Sequence, residues 1–107
     1  MNKFEEQLIN NGIIDSPLTK FEISDYYDKV TIEYEKSTFK INCTFKNCFE
    51  TNFKHDLSYT KQENDYKYFV QDIVITEKDD FFYIHILAWP FDGKIVCKEI
   101  DIEKTEK

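Results

Sequence analysis

Three thiols, two imidazoles and a few adjacent carboxylates are the groups in this 107-residue chain whose types first suggest chemistry. Cys43, Cys48, Cys97, His55 and His85 are the residue types that bind zinc. A structural zinc site, however, needs four ligands at close spacing, often as paired Cys-x-x-Cys units. Cys43 and Cys48 are five apart and the others are scattered. Cys43 also lies between Ile41 and Phe45 on the apolar phase of a strand pattern, where a thiol acts as a small hydrophobe. A Cys43–Cys48 bridge cannot form within one extended strand, since five residues span about 16 Å; it requires a tight turn near Asn47.

Nucleophilic catalysis needs a nucleophile, a base and an orienting group within hydrogen-bond reach. His55 and Asp56 are adjacent, but neighbours in a strand point to opposite faces. His85 sits among Tyr83, Leu87 and Trp89, which reads as a core or interface histidine. Asp79 and Asp80 could share acid–base work around a cleft, yet within residues 77–80 they read as a solvated turn. The acidic loop with a central glycine that calcium requires is absent. No catalytic residue, cofactor or metal is assigned, and a non-enzymatic protein is expected.

Composition narrows the choice further. There is no arginine; all fourteen cationic side chains are lysines, against twenty-one acids and a formal charge of −7. The bidentate guanidinium grip on phosphates is therefore missing. With glycine only at Gly12 and Gly93, neither the P-loop nor the dinucleotide fingerprint can be written. Phe39, Phe45, Phe49 and Phe53 interleave with Lys40, Lys46 and Lys54 in the manner of a base-stacking platform, but a strand period turns those rings inward. Such a charge repels nucleic acid and anionic membranes, and either favours a basic partner or keeps a Phe-rich protein soluble. No apolar run approaches the ~20 residues that span a bilayer, and no export signal opens the chain. The odd cysteine count then suits a reduced, cytoplasmic setting.

The elements that would position these groups follow from periodicity. Residues 1–107 read as one domain. Asn2 with Glu5 three residues on forms a capping-box signature, Phe4 and Leu8 share a face, and Gly12 suits a left-handed cap. A helix is expected over residues 3–11, within an N-terminal helical segment 1–12. From residue 20 to 103 the period becomes two, with alternation at Phe21/Ile23, Val30/Ile32/Tyr34 and Phe39/Ile41/Cys43/Phe45. A break is expected near Lys46-Asn47 before a second Phe-rich stretch, residues 49–59, and residues 60–65 read as a loop. Residues 81–89 are apolar on both faces, as in a central strand covered on both sides. Residues 90–93 read as a turn, and a phase change from Cys97 to Ile100 implies a bulge near Lys98-Glu99. The fold expected is mainly β, an antiparallel meander of six or seven strands, sandwich- or barrel-like, with one short N-terminal helix.

Trp89-Pro90-Phe91-Asp92 places two large aromatics beside an acid at a turn, the anchor-and-rim arrangement of a protein interface; a Trp closing the end of the core is the alternative. Asp79, Asp80, Trp89, Phe91 and Asp92 are therefore the candidate partner-binding residues.

From Lys29 onward the chain also resembles a known family. Val30-Thr31-Ile32-Glu33-Tyr34, Phe45-Lys46-Asn47-Cys48, Asp72-Ile73-Val74-Ile75 and the run Gly93-Lys94-Ile95-Val96-Cys97-Lys98-Glu99-Ile100-Asp101-Ile102 look like those of small acidic bacterial immunity proteins. Such proteins are encoded beside polymorphic or contact-dependent toxins. The resemblance excludes the N-terminal helix and carries over no site residue. It implies a cytoplasmic protein that blocks a cognate toxin by direct binding, and the acidity fits a basic toxin domain. Two alternatives from the residues alone are a homo-oligomeric module, for instance a homodimer using Trp89 and Phe91, and a small hydrolase.

Overall fold

The computed structural model of the chain describes residues 2–26, 28–55, 69–89 and 91–107, without the side chains of His55 and Trp89. Helix α1 (Lys3–Asn10) precedes strands β1 (Lys20–Ser24), β2 (Lys29–Glu35), β3 (Phe39–His55), β4 (Phe69–Lys78), β5 (Phe81–Trp89) and β6 (Phe91–Glu106). All six strands form one open antiparallel sheet, ordered β1-β2-β3-β6-β5-β4. The expected mainly β fold with one short helix is therefore the observed one. The meander is interrupted once: β6, not β4, lies beside β3. Two three-stranded meanders are thus joined through the two longest strands, paired from Phe39↔Glu106 to His55↔Phe91. The expected loop 60–65, residues 56–59 of the second Phe-rich stretch and Pro90 lie outside the described residues.

Alternation of apolar side chains gives the sheet one dry face. Val30, Ile32 and Tyr34 of β2 bury with Ile41, Cys43 and Phe45 of β3, Ile73 and Ile75 of β4, Ile84 and Ile86 of β5, and Ile95 and Cys97 of β6. Leu8, Ile13 and Leu18, from the helix and the segment after it, complete this core. A sheet with one apolar face must cover it, and curling helps. The Phe21 ring of β1 lies 4.9 Å from the Phe91 ring of β6, three strands away in the sheet order. Phe21 is level with Cys43 of β3, and Phe91 with His55. Flat strands would hold these positions about 40 Å apart along the strands and about 14 Å across them, so the sheet bends strongly over its own core.

Helix α1 forms as its cap predicts. The Asn2 side chain accepts from the N–H groups of Phe4 and Glu5 at 2.8 and 3.4 Å, and Gly12 takes the left-handed conformation at φ 79°. Glu5 does not reach back to the cap; its Oε1 accepts the backbone N–H of Ile75 in β4 at 2.6 Å. Strand β4 is an edge, and an unpaired edge invites another chain. Ser16 O accepts from Val70 N at 2.9 Å and Asp15 N donates to Val70 O at 2.8 Å, so helix and loop together cover part of that edge.

The middle of β3 departs from the simple reading. The expected break at Lys46-Asn47 is a kink within a continuous strand, with Asn47 at φ 55°. Inward positions step by three from Phe45 to Cys48 in β3, and likewise from Cys97 to Ile100 in β6, so the pairing stays in register across this level. The expected phase change in β6 is real, but β3 matches it. The register shift falls instead in β3, between Cys48 and Glu50. Phe49, expected inward, is thrown to the outer face at 65% exposure. Residues 91–93, expected in a turn, already belong to β6.

Gly93 shows why a glycine is needed there. A Cβ at this position would lie 2.8 Å from Phe53 Cδ1 and 2.9 Å from Phe91 Cζ. Those two rings stack at 5.4 Å and Phe21 packs edge-on against both. Gly93→Ala is expected to cost about 1–3 kcal/mol, the usual penalty of overpacking, read as a lower urea midpoint at unchanged slope.

Candidate partner-binding face

The outward side chains of β5 are Phe81, Tyr83, His85 and Leu87, an apolar series with a single histidine. Their inward neighbours are buried or half-buried, but no described residue covers the outer side. Tyr83 is 42% exposed and Val74, on β4, 41%. Cross-strand pairing puts Thr76 and Val96 on either side of Tyr83, and Val74 and Lys94 on either side of His85. The result is a shallow, mostly apolar depression of about 280 Å³, with Glu50 and Lys94 among its polar lining.

Charged groups border this face. At one end Phe49 and Phe81 meet edge-to-face at 5.3 Å, with Lys98 Nζ over both rings at 5.5 and 5.3 Å. Asp79 and Asp80 form the adjoining β4–β5 turn, both with positive φ (54° and 68°) and both exposed. Two successive left-handed residues make the tight hairpin that twists with its strands, and aspartate tolerates that conformation. At the other end His85 Nε2 and Asp92 Oδ1 are 2.7 Å apart, each about half exposed.

The structure therefore separates the candidate residues. Asp79, Asp80 and Asp92 lie at the surface around the β4–β5–β6 outer face. Phe91 is 4% exposed and packs with Phe21 and Phe53, so its ring belongs to the core and not to a surface anchor. Trp89 ends β5 opposite Phe69, and its side chain is outside the described residues. Sequence reasoning missed Val74, Tyr83 and Phe49. The signal for Tyr83 was present, because β5 is apolar on both faces; no described residue supplies the expected second cover.

The amino-acid sequence matches the family described as Immunity protein PIM7 over residues 1–104. The chain belongs to the PIM7 immunity protein family. A crystal structure of an uncharacterized protein from Neisseria gonorrhoeae is similar in fold, with a TM-score of 0.58 and 16% identity over 84% of this chain and 91% of that one. No curated protein matches the chain. The family match includes α1, which the resemblance read from the sequence had left out.

His85 and Asp92 are the orienting half of a triad, but His85 hydrogen-bonds to no hydroxyl or thiol among the described residues. Nor does any group of three His, Cys, Asp or Glu gather closely enough to hold a metal among them. No helix among the described residues is long and apolar enough to cross a membrane. Cys43 lies in the core, where burial pushes its thiol well above the ordinary range.

Proposed function

We propose that this protein neutralises a cognate toxin in the cytoplasm by direct, non-catalytic binding, with the outer face of β4, β5 and β6 as the contact surface. The observation that carries the surface assignment is strand β5, apolar on both faces and covered on only one by the described residues. Exposed aromatic side chains ringed by charge supply the desolvated centre and polar rim of a specific interface. Tyr83 and Val74 would be the anchors, with Phe49 and Phe81 beside them. Asp79, Asp80 and Asp92 would be the acidic rim. A net charge of −7 would speed capture of a basic toxin domain through long-range attraction.

The test is co-expression of the toxin encoded beside this gene, with and without the protein. Survival only with the protein is the expected result, and equal killing would overturn the reading. His85→Gln separates binding from chemistry. It is expected to preserve protection, because a binder needs no proton transfer from the imidazole. Loss of protection with unchanged toxin affinity would favour a hydrolase instead. The same outer face, uncovered by the described residues, also supports self-association, so light scattering is the companion measurement. A dimer disrupted by Tyr83→Glu without effect on protection would favour the homo-oligomeric reading.

A further inference from the structure

Cys48 and Cys97 stand directly opposite one another in the β3–β6 ladder. The backbone N–H of Cys48 donates to Asp28 O at 3.0 Å, on the side away from β6. The two cysteines are therefore a non-hydrogen-bonded antiparallel pair, the type whose Cα atoms lie about 4.5 Å apart with side chains close together. Disulfides take Cα separations of about 4.4–6.8 Å, so bridging demands little backbone movement. Both side chains face the core: Cys97 is buried, and Cys48 is half-buried against it. Cys48 is only partly buried and lines a surface depression with Tyr26, Asp28, Glu50 and Thr51.

The local electrostatics assign different roles to the two thiols. The hydrogen bond between the two sulfurs favours thiolate on Cys48, holding it below the ordinary thiol range against burial and the Asp28 carboxylate. The same contact, with burial, raises Cys97. Cys43 sits between Ile32 and Ile102 in the ladders and is fully buried.

We propose that Cys48 and Cys97 are a dithiol site at which low-molecular-weight disulfides install a cross-strand disulfide. The Cys48 thiolate attacks one sulfur of the reagent, forming a mixed disulfide and expelling the other half as a thiolate. Cys97 loses its proton to solvent and attacks the Cys48 sulfur, expelling the second half. The reagent gains two electrons and leaves as two thiols; the protein loses two thiol hydrogens. The bridge fastens β3 to β6 at the bulge that displays Phe49, beside the outer face.

Oxidised glutathione on the full-length folded protein is the probe. The expected product is lighter by two hydrogen atoms, its free thiols fall from three to one on denaturation, and peptide mapping joins Cys48 to Cys97. Cys43→Ser should react in the same way, and Cys48→Ser should resist. Cys97→Ser should stop at a glutathione adduct on Cys48. A persistent adduct on the unsubstituted protein, no reaction, or a link to Cys43 would overturn the proposal. None of these readouts requires the toxin, so their outcome is independent of the binding assignment.

Discussion

Tyr83→Glu is expected to weaken toxin binding by about 30-fold or more, the loss that marks an interface hot spot of about 2 kcal/mol. The substitution places a carboxylate in the middle of the β4–β5–β6 outer face, where Val74, Thr76 and Val96 flank it. A partner that docks there must bury that charge without a counter-ion, which costs more than losing the ring alone. Folding should barely change, because Tyr83 is already 42% exposed and surface substitutions usually stay within about 0.5 kcal/mol. Titration calorimetry with the toxin domain, beside a urea melt of the variant, separates the two effects. Unchanged affinity at unchanged stability would remove this face from the interface. Asp79 and Asp80 provide a contrast. Their side chains border the patch, so reversing their charge should mainly slow association and flatten its salt dependence.

The sequence made much of this legible, and the exceptions have physical reasons. Strict alternation in Val30-Thr31-Ile32-Glu33-Tyr34 and in residues 39–45 identifies strands with one dry face, and those side chains are buried as the period requires. The helix and its Asn2 cap depend on contacts within one turn, so they too were readable. Strand order is a different matter. Short connections suggest sequential neighbours, but the β3–β6 pairing joins residues far apart in sequence, and period two says nothing about which strand pairs with which. Nor does periodicity reveal where Glu5 goes. A capping-box carboxylate and one that satisfies a sheet edge have the same local signature. The candidate site was partly visible as acids and aromatics around residues 79–92. Its centre was not, because a strand apolar on both faces looks the same whether its second cover is part of the chain or a partner.

Phe45 and Phe49 turn that limit of local reading into an expected difference in stability. They are the same residue type, four apart in one strand, and uninterrupted alternation would put both in the core. The kink at Asn47 and the register shift after Cys48 send them to opposite faces. Phe45 is fully buried opposite Ile100, at the junction of the two three-stranded halves. Phe45→Ala should therefore cost about 3–5 kcal/mol, a large part of the roughly 5–15 kcal/mol that holds a domain of this size folded. Phe49→Ala removes an edge-to-face contact with half-buried Phe81 and an exposed lysine over the ring, and should cost about 1 kcal/mol or less. Paired urea melts measure the difference directly. Equal losses would mean that Phe49 packs inside and that the bulge is misplaced. If the outer face is the binding surface, the order reverses for the toxin: Phe49→Ala should lower affinity in a variant that remains folded. Phe45→Ala should impair binding only as far as it unfolds the sheet that presents the face.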